Sequence, residues 1–207
     1  GDNSNTVYWA KSSTLVNGGT DDIGGALGVA FLTYGATDNI IRQGDIVFNG
    51  VLYDWFADYF SANTTDTFVE GVALHEIGHF LGLQHSPVGA ATMLAYTGNG
   101  VSTQTGLSPD EISAARHLYP VGITNFGAVK GTVTKSGSPV FGAAVFARDS
   151  VSNTVAGTVT DASGNYLLSA LPPGGYQLRI APLDSAAASD ALVQGVDIAN
   201  PGYAGAD

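Results

Sequence analysis

Cysteine is absent from the 207 residues. No disulfide framework can hold the fold, and cysteine pairing says nothing about redox compartment. Cationic side chains are scarce: 7 Lys and Arg stand against 18 Asp and Glu, a formal charge of −11. That balance argues against nucleic acid or an anionic membrane surface as partner, and it favours neutral or cationic substrates while also serving solubility. No apolar run approaches the ~20 residues that a membrane-spanning helix needs. No charged leader followed by an apolar stretch opens the sequence. What is present, 44% hydrophobic and 12% charged residues, is an ordinary globular composition, long enough for one large or two small domains.

Three of the 4 histidines fall in one stretch, His75 to Ser86, which reads HEIGHFLGLQHS. A helix over 68–81 would put His75 and His79 one turn apart on the same face, with Glu76 projecting beside them. Gly82 can take the left-handed backbone that reverses a chain after a helix, which lets His85 return as a third ligand. Three imidazoles leave one position of a tetrahedron open, the arrangement of a catalytic rather than a structural zinc. Zinc brings the pKa of a bound water toward ~7, and Glu76 is placed to take that proton and pass it to a leaving amine. The implied reaction is hydrolysis of a peptide bond. The competing reading, a polar helix face with three solvated histidines, gives no reason for a glycine and a third histidine at those offsets.

His75, Glu76, His79, Gly82 and His85 make the pattern HExxHxxGxxH, which resembles the motif of the metzincin zinc proteases. Ser86 directly after the third histidine resembles the matrixin branch. Metzincins carry a methionine in a tight turn beneath the zinc, and the resemblance assigns that place to Met93 of AATML, the single methionine of the chain. Core gap-filling is its alternative role. In matrixins a proline and then a tyrosine after the methionine line the wall beside the zinc. Here Leu94 and Ala95 follow instead, so Tyr96 either lines that pocket, with a hydrogen bond to the tetrahedral intermediate, or only packs. The resemblance also implies one catalytic zinc, a protein or peptide substrate and an extracellular or secreted setting. Residues 50–67 contain no histidine, so the second, structural zinc of some relatives is not expected. Matrixins often hold calcium in loops, and Asp21, Asp22, Asp38, Asp45, Asp54 and Asp58 offer oxygen ligands. Their spacing is not that of a calcium loop, so solvated loop aspartates are expected. A cysteine–zinc latch is excluded for this stretch.

Along the chain, NTVYW at 5–9, Val29 to Tyr34, Asp45 to Asn49 and Val51 to Phe56 read as strands, with a Gly/Asp-rich loop from Asn17 to Gly28. GVAFLTY and GDIVFNG resemble strand segments of the matrixin sheet. The first strand and first long helix of that family normally precede a segment like NTVYW, so the sequence is expected to be trimmed at its start or reduced. Thr67 and Glu70 are expected to form a capping box for the zinc helix. Val69, Val72, Ala73, Ile77, Phe80 and Leu81 are expected to pack it on the sheet. Ser108, Pro109 and Glu111 open a second helix, Ile112, Ala115 and Leu118 continue it, and Pro120 stops it. His117 is expected to be exposed near its C-terminus, where positive charge is favourable.

From Gly127 the pattern changes to short alternating strands, AVKGTVT, AAVFARD, TVAGTVT, GNYLLSA and GYQLRIA, separated by the turn clusters SGSP, DASGN and LPPGG. The run TDASGNYLLSALPPGGYQL resembles a transthyretin-like domain related to the regulatory domain of carboxypeptidases, and ALVQGVDI could add a last strand. The expected architecture is an α+β metzincin-like catalytic domain over 1–122, a twisted sheet with a zinc helix and a C-terminal helix, then an all-β sandwich over 127–207. The leading function is a zinc endopeptidase whose sandwich anchors, positions or recruits substrate. A metal-binding adhesion or structural module with little or no proteolytic activity, and a dedicated maturation or glycoprotein protease, are the alternatives. Glu76 favours catalysis, because a purely structural metal site needs no base.

Overall fold

A computed structural model describes residues 4–38, 40–101, 104–120, 122 and 124–182. The expected strand ALVQGVDI lies outside the described residues. The chain divides into two compact units. One comprises the stretch through Gln84 together with Thr97–Gly106, and the other comprises His85–Tyr96 and the chain from Leu107 onward.

In the first unit, strand β1 (Val7–Ala10) is followed by the short pair β2 (Leu15–Val16) and β3 (Asp21–Asp22), then by β4 (Gly28–Tyr34) and β5 (Ile41–Asn49). β5 is the central strand, parallel to β1 and antiparallel to β4. Its burial explains its place: Ile46, Val47 and Phe48 are all buried, so both faces of β5 are covered. Val47 packs with Ala10, Val16 and Ile23 on one face, while Ile46 and Phe48 pack with Val72 of the helix on the other. An aromatic group closes one end, with the Trp9 ring 4.9 Å from Phe48 and 4.8 Å from Trp55.

The expected fourth strand is a correction. Residues 50–52 form a turn, and only β6 (Trp55–Phe56) is extended, paired in parallel with β7 (Thr67–Phe68). The cause is the fully buried Asn49. Its Oδ1 accepts the backbone N–H groups of Val51 and Leu52, and its Nδ2 donates to the carbonyls of Gly24 and Ala26. Such local side-chain bonds compete successfully with a sheet ladder.

The zinc-motif helix α1 runs Val69–Phe80. Its expected capping box does not form: the N-cap is Phe68, with no side-chain cap. Thr67 is instead buried in strand pairing, donating its N–H to the Asp54 carbonyl at 2.9 Å and bridging Gly100. The apolar face also differs from expectation. Val72, Ala73 and Phe80 face the sheet, but Ile77 and Leu81 are exposed. At about 100° per residue they lie about 140° and 180° round the helix from Val72. Two glycines set the helix–sheet spacing. A Cβ on Gly28 would lie 3.1 Å from Val72 Cγ1, and one on Gly44 would lie 2.6 Å from the Phe80 ring.

In the second unit, helix α2 (Pro109–Leu118) has the expected capping box, with Pro109 in its first turn and His117 exposed. The β strands follow: β8 (Gly127–Thr132), β9 (Thr134–Lys135), β10 (Ser138–Pro139), β11 (Ala143–Arg148), β12 (Thr154–Val159), β13 (Asn165–Leu171) and β14 (Gln177–Pro182). All pairing among them is antiparallel, in the orders β12-β11-β14, β13-β8 and β10-β9. Val145, Ala147, Ala156, Leu168 and Leu171 form the core between the strands. Val145 and Ala147 are two apart on β11, as strand alternation requires, whereas Leu168 and Leu171 are three apart on β13, whose register shifts between them.

Candidate metal centre

The end of α1 builds the turn that the motif needs. Gly82 has φ +90°, its N–H bonds the His79 carbonyl at 2.8 Å, and the Leu83 N–H bonds the Gly78 carbonyl at 3.0 Å. This pair of bonds is a Schellman closure, which requires a left-handed residue at the Gly82 position. The chain is thereby turned back on the helix that carries His75 and His79. One ring nitrogen from each of His75, His79 and His85 lies within 4.8 Å of the others, and all three side chains are half-buried. Among the described residues this is the one His/Cys/Asp/Glu group so arranged.

The turn also orients a ligand. The Nδ1 of His79 lies 2.9 Å from the Leu83 carbonyl, which can only accept, so Nδ1 carries the proton and the neutral ring has its lone pair on Nε2. Burial holds His79 below the usual imidazole pKa and so favours the neutral form a metal requires, while the hydrogen bond to that carbonyl acts in the opposite direction. Three imidazoles in this proximity are a donor set that fits zinc.

Glu76 is 4% exposed and lies against Gly28 and Ala30 of β4. Burial pushes its carboxyl up to about 7, with a backbone hydrogen bond from Ala30 acting in the opposite direction. Its Oε2 is buried without a hydrogen-bond partner among the described residues. A buried carboxylate oxygen without a protein donor invites a water or a ligand group. The carboxylate fits only because Gly28 has no side chain: a Cβ there would lie 2.9 Å from Glu76 Oε1. Gly28 and Ala30 were not singled out from sequence. The available signal was a glycine at the head of the apolar run GVAFLTY, since a strand glycine often marks a close approach.

The stretch after His85 closes on itself. The Ser86 N–H bonds the Met93 carbonyl at 2.8 Å, and Ala91 and Leu94 make turn bonds to Val88 and Ala91. Met93 sits in that turn and is 2% exposed. Its N–H donates to Glu111 Oε1 at 2.9 Å, while Glu111 Oε2 accepts the Ser108 N–H at 2.7 Å, so one buried carboxylate both caps α2 and holds the methionine turn. Tyr96 is 49% exposed. Five of the six aspartates offered as calcium ligands bind protein groups: Asp21 accepts from Asn17, Asp22 from Gly24, Asp45 from Thr6 and Asp58 from Phe60, and Asp38 pairs with Arg42.

The family model described as Matrixin matches residues 6–120, more than half of the chain. The chain belongs to the matrixin family. Residues 128–200 of this matrixin match the model of the carboxypeptidase regulatory-like domain. A curated relative, "Metalloendoproteinase 5-MMP" of Arabidopsis thaliana, is 45% identical over 56 residues, which cover 27% of this chain and 15% of that protein. No solved structure matches the chain.

Proposed function

We propose that this matrixin is a zinc-dependent endopeptidase in which His75, His79 and His85 hold one metal ion and Glu76 is the general base. The observation that carries the reading is the buried Glu76 carboxylate, one oxygen unpartnered, on the same helix as two members of the histidine cluster. Bound there, zinc would supply a Lewis acid for the scissile carbonyl and raise the acidity of a water. Glu76 takes the proton of the attacking water and delivers it to the departing amine. A carboxyl pushed up to about 7 is poised for both transfers near neutral pH. Ala30 fixes one side of the carboxylate through its N–H, and Gly28 leaves the space it occupies. Met93, buried in the turn closed by Ser86, supports the segment that carries His85. The exposure of Tyr96 suits a residue that lines the substrate pocket. The family implies protein substrates and an extracellular setting, and no helix among the described residues is long and apolar enough to cross a membrane. Changing Glu76→Gln tests the assignment: zinc content is retained and cleavage of a peptide library is lost. Zinc binding with no cleavage by the parent chain under any condition would instead favour the metal-binding module.

A further inference from the structure

The segment that follows the HExxH helix is attached to the β-sandwich rather than only to the protease part. His85–Tyr96 falls in the same compact unit as α2 and strands β8 to β14. The attachment is specific. Asp110, at the start of α2 and 8% exposed, accepts the Ser86 hydroxyl on Oδ2 at 2.5 Å and the Gly157 N–H of β12 on Oδ1 at 2.7 Å. Ser86 Oγ in turn accepts the Val88 N–H at 3.0 Å. Beside this bridge, Gly157 lets the strand approach the loop: a Cβ there would lie 2.6 Å from Val88 Cγ2 and 3.2 Å from Pro87 Cγ. A second tie joins α2 to the sandwich, the Ser113 hydroxyl donating to the Ser169 carbonyl at 2.5 Å.

We infer that the sandwich is a working part of the metal site, with Asp110 and Gly157 acting as positioning residues that hold the His85 segment through Ser86. This rests on the reading of His75, His79 and His85 as ligands. His75 and His79 are preset by one helix, whereas His85 lies beyond it, next to the residue that the Asp110 bridge anchors. The charge-assisted bonds of Asp110 are the stronger kind, and they are shielded from water. Carbonyls and carboxylates that orient metal ligands change affinity about 10-fold or more when removed. Gly157 lies 72 positions beyond His85 in the sequence, in a different domain match, and this contact joins it to the His85 segment.

The test uses the full chain. Zinc dissociation constants are measured by chelator competition for the parent, Ser86→Ala, Asp110→Ala and Gly157→Ala, and the cobalt-substituted forms are compared by their visible d–d bands, which report ligand geometry independently of turnover. The expected result is an affinity loss of about 10-fold for Asp110→Ala and for Gly157→Ala, with altered cobalt bands and native circular dichroism. Ser86→Ala, which is the smallest change, keeps the test decisive if Asp110→Ala does not fold. Unchanged affinity and cobalt spectra in folded Gly157→Ala and Ser86→Ala overturn the inference. Failure of the underlying ligand reading looks different: the parent would then bind no zinc, or its His75→Ala variant would bind as much zinc as the parent.

Discussion

In the metal-free protein, replacing Glu76 by glutamine should raise stability, increasingly so as pH rises from 4.5 to about 7. The carboxyl rises from 4.5 to about 7 on burial in the native state. A group raised in this way adds stability that is fully present below its unfolded pKa, here 4.5, and that is lost as pH rises through about 7. The span between those two values corresponds to about 3 kcal/mol at pH 8, the cost of keeping a carboxylate in a desolvated place whose Oε2 has no protein donor. Glutamine has nearly the same shape and no charge to desolvate, so Glu76→Gln avoids that cost. The assay is urea unfolding of zinc-stripped parent and variant at pH 5 and pH 8, followed by tryptophan fluorescence. The histidines are common to both proteins, so the difference isolates position 76. At pH 5 the variant should be more stable by less than about 1 kcal/mol, and at pH 8 by up to about 3 kcal/mol. Equal stability at both pH values would refute the argument that burial raises this carboxyl.

Other consequences are open to simpler measurements. Gly28→Ala should place a methyl group against Glu76 Oε1 and Val72, lowering kcat about 10-fold or more while zinc content is unchanged from the parent, read by steady-state kinetics with metal analysis. Gly44→Ala forces a methyl group into the Phe80 ring and should cost about 1–3 kcal/mol by chemical denaturation, with no direct effect on the chemistry. Glu111→Ala removes the acceptor of both the Met93 and Ser108 N–H groups and should destabilise the protein by about 3 kcal/mol, seen as a lower Tm. Zinc retention should decline under mild acid as the imidazoles protonate, and a proton count during metal uptake by calorimetry in buffers of different ionisation heat checks the direction.

Much of the site was legible because the motif is local. Helical periodicity places His75, Glu76 and His79, and the need for positive φ at Gly82 places the turn, so a dozen residues carry their own geometry. The α2 cap was legible for the same reason, since Ser108 and Glu111 satisfy each other within one turn. The failures have separate causes. Thr67 had the right chemistry for a cap, but pairing with β6 and Gly100 outcompeted it. Val51 to Phe56 had strand-forming side chains, but a buried Asn49 offered the backbone another set of partners. Ile77 and Leu81 were apolar at near-helical spacing, yet they lie on the side away from the sheet. The room that Gly28 gives Glu76, and the reach of Asp110 to Gly157, join positions 48 and 47 residues apart, where no periodicity can show them.

Asn49 is followed by Gly50, the pairing in which succinimide closure is easiest, because the next residue has no side chain to block attack on the amide carbon. In the folded chain all of that amide is engaged, its nitrogen by Gly24 and Ala26 and its oxygen by Val51 and Leu52, and no solvent reaches it. Chemical ageing at this position is therefore gated by opening of the fold. Conversion to aspartate would introduce a charge and remove two donors in one event, so a damaged molecule would not close again in the same way. The isoaspartate content at Asn49 in a stored sample is a cumulative record of how often this region has opened.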